Sequence, residues 1–394
     1  MIKIKPYTEL SNGDEIKRLY MSMVAKALPF YPEDIFPDGY FYPDGKTKKP
    51  LSEFKRHAMT RKPSYIQKLN YYQISDGDNT KGRKKADALL AKKIISEYSN
   101  SLFDFLYKGS TGEGHVVPEK LHMLLTTAVD DESLEANGLQ KVLKESPRIN
   151  EERRKDLQNY VFRYDVFSKQ DQIHRFVRLL GVDICPYCNR IYITTAERGE
   201  KSSPIRPELD HYRCKSKYPF LAVSILNLIP SCSFCNHAKH EKEDPILYPY
   251  KDEIGSDLYF QTKPRNGITY LTGAKASTED FDLTLCCRDD TDKDLHDRAN
   301  RSIDQLRLSA LYSSHKGYVS DLIAQRYIFT DEMIKEICNL SDSLILTPDE
   351  VRRMLLLKDI SQENWGNRPL TKLAHDISEE LDVLYGKCST NDTL

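Results

Sequence analysis

The stretch that decides the fold begins with Glu208-Leu-Asp210-His211 and ends with Cys232-Ser-Phe-Cys235-Asn236-His237-Ala-Lys239-His240. A second cysteine pair, Cys185-Pro-Tyr-Cys188, precedes it in the chain. Carboxylate, amide, imidazole and thiol groups are the side chains that bind metal ions, and they are concentrated here. The sequence therefore predicts metal sites in the middle of the chain.

The two C-x-x-C pairs predict one structural zinc site. Each pair places two thiolates on a tight turn, and two such pairs complete a tetrahedral four-cysteine site. The 43 residues between Cys188 and Cys232 require a folded insertion between the pairs. A redox pair or two unrelated turns are the alternatives, but a redox pair usually opens a helix in a βαβ context, which the sequence lacks. Cys185, Cys188, Cys232 and Cys235 are therefore the predicted zinc ligands.

Polar residues near the second pair predict a further metal site. The segment that leads to Asp210 and His211 suits a short strand, on which these neighbours point to opposite faces. Residues 236–242 contain no helix breaker, so a helix there places Asn236 and His240 on one face. Mg²⁺ accepts carboxylate and amide oxygens, here those of Asp210 and Asn236. His240 is a further ligand if the bound metal is softer.

A strand, a second strand and a metal-bearing helix beside a zinc knuckle resemble the ββα-metal unit of HNH nucleases. Asp210-His211 looks like the first histidine of that family with its preceding metal ligand, and Asn227 resembles the central asparagine. Asn236 resembles the variant with Asn at the third position, which the HNH domain of RNA-guided CRISPR nucleases also carries. The resemblance covers about 60 residues of the 394.

The resemblance implies a role for each of these residues. His211 would be the general base, for which an ordinary pKa of about 6.5 is suitable at neutral pH. Asp210 and Asn236 would hold one Mg²⁺ or Mn²⁺ that stabilises the charge on phosphorus and on the leaving oxygen. Asn227 would tie its loop to His211 through a carboxamide that both donates and accepts hydrogen bonds.

A closer likeness joins the run from His211 to Ala222, with the following Asn227-Leu-Ile-Pro-Ser-Cys232, to HNH proteins of bacterial anti-phage operons. Septu-type and retron-associated systems pair such a nuclease with an ATPase. A weaker likeness extends to Leu311-Tyr-Ser-Ser-His315-Lys, whereas Cys214 stands where that family commonly has proline. The resemblance implies an antiviral defence role and an ATPase or sensor partner.

Composition indicates a soluble protein with more than one substructure. The chain has 394 residues, of which 39% are hydrophobic and 30% charged. The sequence shows no apolar run long enough to span a bilayer and no signal-peptide core after Met1. An odd, scattered set of nine cysteines is not a disulfide framework. We therefore expect a cytoplasmic protein without membrane contact.

The formal net charge of −1 conceals a basic segment at 46–93, with fourteen Lys and Arg against four acidic residues. Such an excess neutralises phosphates, and interleaved tyrosines suit base stacking. A solvated surface or an acidic partner is the alternative. Near the predicted site, five basic residues are candidate nucleic-acid contacts: Arg190, Arg213, Lys215, Lys217 and Lys239.

Hydrophobic periodicity predicts an α+β fold, a predominantly helical chain around a central zinc-stabilised ββα-metal unit. We expect a mainly helical region at 1–150, the HNH nuclease domain at 151–250, and a hairpin followed by helices at 251–394. The hairpin is predicted from Leu258-Tyr-Phe and Ile268-Thr-Tyr-Leu271, which flank Arg265-Asn-Gly. Thr347-Pro-Asp-Glu350 predicts the start of a helix.

The sequence thus predicts a metal-dependent endonuclease that hydrolyses phosphodiester bonds, with DNA favoured over RNA as substrate. The alternative is a zinc-stabilised nucleic-acid-binding or adaptor protein without catalysis, which has no need of Asp210 and His211 beside Asn236. A redox or metal-storage protein is disfavoured because the cysteines pair as structural ligands.

Overall fold

The computed structural model describes residues 2–36, 40–41, 48–49, 80–196, 205–242, 244–252, 255, 257–265, 277–288, 291–340 and 346–385. Within these ranges helices predominate and three two-stranded antiparallel sheets are present, so the fold class is α+β as expected. No helix in this part of the chain is long and apolar enough to cross a membrane. Of the basic segment at 46–93, residues 46–47 and 50–79 lie outside the described residues.

Helices form the N-terminal part because apolar residues recur at helical spacing and polar residues cap the ends. Ser99 accepts a hydrogen bond from the Leu102 amide, and Asn150 accepts one from the Arg153 amide. The helices here are Gly13–Ala27, Pro32–Ile35, Thr80–Tyr98, Asn100–Tyr107, Pro118–Thr126, Asp131–Ala136, Gln140–Glu145, Glu151–Asp156, Tyr164–Ser168 and Ile173–Leu179, with a π-helical segment at Leu157–Val161. A short pair of strands, β1 (Tyr40–Phe41) and β2 (Lys48–Lys49), lies among them.

The central unit consists of two strands and a helix. Strand β3 (Glu208–His211) pairs with β4 (Leu228–Ser231), with Asp210 opposite Ile229. The helix Ser233–Lys239 follows β4 directly and contacts β3. The chain order of strand, strand and helix is the one expected from the sequence.

Tyrosine hydroxyls hold β4 and the loop before it in place. Tyr20, fully buried in the first helix, donates to the carbonyl oxygens of Leu125 and Val223. From the other side, Tyr248 donates to Leu226 O at 2.7 Å and Tyr250 to Leu228 O at 3.1 Å. Buried hydroxyls with partners rigidify the segment that carries the site.

The described residues of the C-terminal part form a longer hairpin and six helices. Strand β5 (Leu258–Pro264) pairs with β6 (Phe281–Cys287). The helices are Lys293–Gln305, Leu308–Ser313, Lys316–Ile328, Asp331–Cys338, Pro348–Leu356 and Thr371–Tyr385. Thr347 and Glu350 form a capping box at the start of one of them, which confirms the predicted helix start.

The run predicted to pair with Leu258-Tyr-Phe in a hairpin, residues 268–271, lies outside the described residues. Within the described residues, β5 pairs with β6. Phe281 is buried, and Leu283 and Leu285 pack against the core at alternate positions of β6, so this strand turns one apolar face to the core.

One continuous hydrophobic core joins the regions that the sequence separates. Its fully buried members include Tyr20 from the N-terminal region, Ile229 from the central unit and Leu373 from the C-terminal region. A smaller cluster of Leu247, Leu258, Ala299 and Ile303 supports the hairpin. The central unit is therefore packed on both sides by helices rather than suspended between domains.

Candidate metal centre and adjoining cleft

Four cysteines form a buried group that can hold a metal ion such as zinc. The sulfur atoms of Cys185, Cys188, Cys232 and Cys235 all lie within 4.8 Å of one another. The Cys188 and Cys232 sulfurs are 3.9 Å apart, and the Cys232 amide donates to the Cys185 sulfur. Burial raises the pKa of the Cys185 thiol, whereas hydrogen bonds from the other three sulfurs lower the pKa of Cys232. Four soft ligands with no other group among them suit a closed tetrahedral zinc site.

The turn that carries the first cysteine pair forms hydrogen bonds with the N-terminal residue Ile2 and with residues of the C-terminal region. The amide of Ile2 donates to Pro186 O at 2.8 Å. Asn189, which has φ +51°, donates through its side chain to Trp365 O at 2.7 Å and accepts from the Leu370 amide. Tyr312 donates its hydroxyl to Cys188 O. Loss of the cysteine group would therefore disturb packing well beyond the central unit.

Asp210 lies at the border of the cysteine group and is 4% exposed. Tyr187, which stands between Cys185 and Cys188, donates its hydroxyl to Asp210 Oδ2 at 2.7 Å. The Lys239 amine lies 3.1 Å from the same oxygen and donates to His211 O at 2.6 Å. The carboxylate is thus held by one hydroxyl and one ammonium group.

The sequence interpretation of Lys239 as a phosphate contact is wrong. Its side chain is 2% exposed and ion-paired, so it offers no surface charge. The helix Ser233–Lys239 packs on β3, and its last residue therefore turns toward the strand rather than toward solvent. Lys239 instead links the end of the helix to Asp210 and His211 in the strand.

His211 ends β3 and presents one free ring nitrogen. Its Nε2 lies 2.8 Å from Ala222 O. Because a carbonyl only accepts, Nε2 carries the hydrogen and Nδ1 carries the lone pair in the neutral ring. Nδ1 has no hydrogen-bond partner among the residues that the structure describes. The Tyr164 ring meets the imidazole edge to face, with 4.3 Å between ring centres.

Burial lowers the pKa of His211 to about 3, with smaller contributions from Lys215 and Lys239. The bond to Ala222 O opposes this shift only partly. The ordinary pKa of about 6.5 assumed from the sequence therefore does not hold. Neutral imidazole, the form that accepts a proton, is the state of His211 at physiological pH.

Asn227 is fully buried and fixes the loop between the two strands. Its Oδ1 accepts from the Arg213 amide at 2.7 Å, and its Nδ2 donates to the carbonyl oxygens of Arg213 and Leu221 at 3.1 and 2.9 Å. Leu221 precedes Ala222, whose carbonyl holds His211. The carboxamide both donates and accepts, in the manner expected of a residue that orients His211.

Asn236 lies on the helix and donates its Nδ2 to the Glu208 carboxylate. This bond leaves the amide oxygen of Asn236 available to another group. Glu208 and Asp210 are two residues apart on β3 and so share a face of the strand. This spacing was the signal that would have identified Glu208, which the sequence interpretation missed.

His240 does not occupy the predicted helical face. The helix ends at Lys239, and His240 follows with φ +47° and ψ −138°, so its side chain leaves the helical path. The prediction that it lies one turn above Asn236 on one face is wrong, because the left-handed conformation ends the helix one residue earlier. His240 nevertheless lines the same cleft as Asn236.

These groups border one open cleft of about 430 Å³. Asp210, His211, Asn236 and His240 line it, together with four residues that sequence reasoning did not single out: Tyr164, Arg206, Glu208 and Glu241. Tyr164 and Arg206 carry no motif, because they reach the cleft only through tertiary packing. The cleft brings carboxylate, amide and imidazole groups together on one open surface.

Of the five predicted nucleic-acid contacts, Lys215 lines the cleft, and its amine lies 4.9 Å from the centre of the Tyr164 ring. The others are placed elsewhere. Arg190 donates to His315 Nε2 at 2.9 Å, and Arg213 bonds to Val129 O and to Asp131 at 3.0 Å each. Arg190 and Arg213 thus have protein partners, and neither they nor Lys217 line the cleft.

The donor set of the cleft fits a hard divalent ion. In the described part of the chain, the cysteines are the only group of three or more His, Cys, Asp or Glu side chains within coordination distance. Asp210 and Asn236 line the cleft, and carboxylate and amide oxygens are the ligand types that Mg²⁺ accepts, although Tyr187 and Lys239 already bond to the Asp210 carboxylate. Comparison of the chain with protein-family models, curated proteins and solved structures gives no match.

Proposed function

We propose that this protein is a metal-dependent endonuclease of the HNH type, with nucleic acid as substrate and DNA favoured over RNA. One observation carries the proposal. His211, held through Nε2 by a backbone carbonyl, keeps Nδ1 free in the open cleft that Asp210 and Asn236 also line. A nucleic-acid-binding module without chemistry has no use for an oriented base at that position.

The residues of the cleft divide the reaction between them. His211 Nδ1 takes a proton from a water molecule whose oxygen attacks phosphorus, and the bond from phosphorus to the leaving oxygen breaks. Tyr164 and Ala222 O fix the plane of the imidazole. Lys215 and Arg206 line the cleft and would contact phosphate oxygens. Asp210 and Asn236 would hold a divalent ion, which when bound would supply Lewis-acid stabilisation of the developing negative charge.

The low pKa of His211 is compatible with this role. A base with a pKa of about 3 is fully deprotonated at neutral pH but accepts a proton only weakly. A phosphate anion in the cleft favours the protonated imidazole and raises its pKa toward the ordinary value. Substrate binding therefore strengthens the base when the reaction needs it.

One observation favours the alternative, a zinc-stabilised nucleic-acid-binding or adaptor protein without catalysis. The Lys239 ammonium group already neutralises Asp210 in the buried border of the cleft. In that reading the pair is purely structural, and Asp210 never binds a metal ion. The free Nδ1 of His211 has no explanation under this alternative.

Nicking of supercoiled plasmid and of structured RNA in Mg²⁺ or Mn²⁺ tests the proposal. We expect the wild type and His296→Ala to nick equally, because His296 lies on the helix Lys293–Gln305 away from the cleft. His211→Ala should lose about 100-fold or more of the rate, the usual contribution of a general base. A His211→Ala variant that cuts as fast as the wild type would overturn the assignment of His211 as the general base. Nucleic-acid binding without cutting by any variant would establish the alternative.

We further propose that the nuclease acts in the cytoplasm as the effector of an anti-phage defence system, together with an ATPase or sensor protein. The likeness of the run from His211 to Ala222 to such HNH proteins supports this part. Co-purification of a partner and stimulation of nicking by it are the expected results. A monomer that cuts at its full rate without any partner would contradict it.

A further inference from the structure

A second open depression adjoins the cleft along the helix Ser233–Lys239. It encloses about 980 Å³, and Phe234, Ala238, Lys242, Leu306, Arg307 and Leu311 line it. His237, His240 and Glu241 border both this depression and the cleft. The two therefore form one continuous groove, which leads from the candidate hydrolytic centre to the start of the helix Leu308–Ser313. We call the second part the Phe234 groove.

Phe234 presents an aromatic ring to solvent at a rigid position. The residue is 59% exposed. It stands between Cys232 and Cys235, whose sulfurs belong to the same buried group, so the backbone on both sides of the ring is fixed. Burying such a ring removes apolar surface from water, a stabilisation that the free protein forgoes. Three residues further on, His237 lies on the same helical face and borders the cleft.

The far side of the Phe234 groove carries positive charge. Arg307 is exposed, has φ +52°, and its guanidinium group has no hydrogen-bond or ion-pair partner within the described residues. The Lys242 amine lies on the same wall and donates to Gln305 O at 3.1 Å. Glu241 is the one carboxylate among the residues that line the groove. Two cations against one carboxylate favour an anionic occupant.

We propose that the Phe234 groove binds an unpaired stretch of nucleic acid, with a base stacked on Phe234 and the backbone phosphates facing Arg307. An aromatic platform beside a cationic wall is the usual means of binding single strands without sequence preference. A paired base is already stacked on its neighbours, so its face is not available to a protein ring. This inference rests on the proposed function, because it takes the strand in the groove to continue from the phosphate in the cleft. The substrate class is therefore single-stranded nucleic acid, or a duplex with unpaired nucleotides beside the cut.

Binding measurements in a cleavage-defective His211→Ala background test the inference. The probes are a labelled oligothymidylate and a labelled blunt-ended duplex of two fully paired strands of similar length, followed by fluorescence anisotropy. Phe234→Ala should weaken single-strand binding about 5- to 100-fold, the range that base stacking supports, and change duplex binding less than about twofold. Tyr327→Ala is the matched control, since Tyr327 is also an exposed aromatic residue, 44% exposed, and does not line either depression. Equal loss for both probes would overturn the inference.

A Phe234→Trp variant gives a direct readout and guards against misfolding of Phe234→Ala. The chain has one tryptophan, Trp365, which is 6% exposed. A new tryptophan at 234 should bind oligothymidylate with at least the parent affinity, and its fluorescence should be quenched on binding. Unchanged fluorescence at saturating oligothymidylate would overturn the stacking. Zinc content measured on each variant shows that the cysteine group is intact.

The failure of this inference differs from the failure of the proposed function. If the wild type nicks plasmid while Phe234→Ala binds oligothymidylate like its parent, the groove assignment fails and the endonuclease stands. If the wild type never cuts while the tryptophan at 234 is quenched, the binding groove stands and the endonuclease fails. If no variant binds oligothymidylate, the groove takes a different class of partner, such as a peptide, and the inference is overturned.

Discussion

The cysteine group and the cleft are neighbours in sequence and in space, yet they differ in burial and in the chemical groups that they contain. The four cysteines are buried, chemically identical and directed at one another. The cleft combines carboxylate, amide and imidazole groups and is open to solvent. A closed coordination sphere suits a structural ion, whereas a catalytic ion needs open positions. The contrast indicates that the first site holds the unit together and that the second is available for chemistry.

The two sites are coupled in one direction. Tyr187 belongs to the cysteine turn and donates to Asp210, and Asn236 directly follows Cys235. Damage to the cysteine group should therefore displace the cleft residues. Substitutions in the cleft should leave the cysteine group intact, because all four of its candidate metal ligands are cysteines and none is a cleft side chain.

The largest effect is expected from the double variant Cys185→Ser/Cys232→Ser. Zinc binding in four-ligand sites is worth on the order of 10–16 kcal/mol, so its loss should remove both zinc and cooperative unfolding. Elemental analysis and thermal unfolding measure these. Cys338→Ser is the matched control, since Cys338 lies in the helix Asp331–Cys338 apart from the group. Full zinc content in the double variant would contradict the claim that the four cysteines share one zinc ion.

A smaller but substantial effect is expected from Lys239→Met. Removal of one partner of a buried ion pair costs about 3–5 kcal/mol, because the remaining charge is left without compensation. Urea unfolding should show this loss in chelator and a partial recovery in Mn²⁺, since the divalent ion then compensates Asp210. Zinc content should be unchanged. No effect of Mn²⁺ on the variant would argue that Asp210 is not a metal ligand.

The next largest effect is expected from Asn227→Ala. It leaves the partly buried Arg213 amide and the carbonyl oxygens of Arg213 and Leu221 without their partners, which costs about 1–3 kcal/mol for an unsatisfied group. Nicking should fall more than tenfold, because the loop that carries Ala222 O no longer orients His211. Urea unfolding and the nicking rate measure the two effects. A stability loss at an unchanged rate would make Asn227 structural only.

The smallest effect concerns the pH dependence of stability. The folded pKa of His211, about 3, lies below its unfolded value of about 6.5, so the unfolded chain takes up the proton first. His211 therefore lowers stability as pH falls from 6.5, by about 1–2 kcal/mol at pH 5. Glutamine does not titrate in this range, so the free energy of unfolding of His211→Gln, measured in urea, should fall correspondingly less between pH 6.5 and pH 5. An imidazole midpoint near 6.5 by NMR would contradict this.

Local spacing was sufficient to predict the parts of the site that lie close together in the chain. The cysteine pairs predicted the buried four-cysteine group, and Asp210 lies on a strand as expected. The helix expected over 236–242 is present but shifted, and it spans Ser233–Lys239. The catalytic roles of His211, Asn227 and Asn236 stay predictions, although their hydrogen bonds agree with those roles.

Features that depend on tertiary contacts could not be read from the sequence. Tyr164 reaches His211 only because the helix Tyr164–Ser168 packs beside β3, and no spacing rule links them. The burial of Lys239 and the low pKa of His211 follow from packing around the strand end. The left-handed backbone conformation of His240 is likewise not indicated by a helical pattern in the sequence.

The separation of a structural ion from a catalytic ion is tested most directly by selective metal removal. Wild-type protein is treated briefly with EDTA, desalted, and analysed for zinc and for plasmid nicking. We predict that zinc stays in the buried cysteine group while nicking is lost, and that Mg²⁺ or Mn²⁺ alone restores it. Nicking that persists after desalting without a divalent ion, or that only added zinc restores, would contradict the division between the two sites.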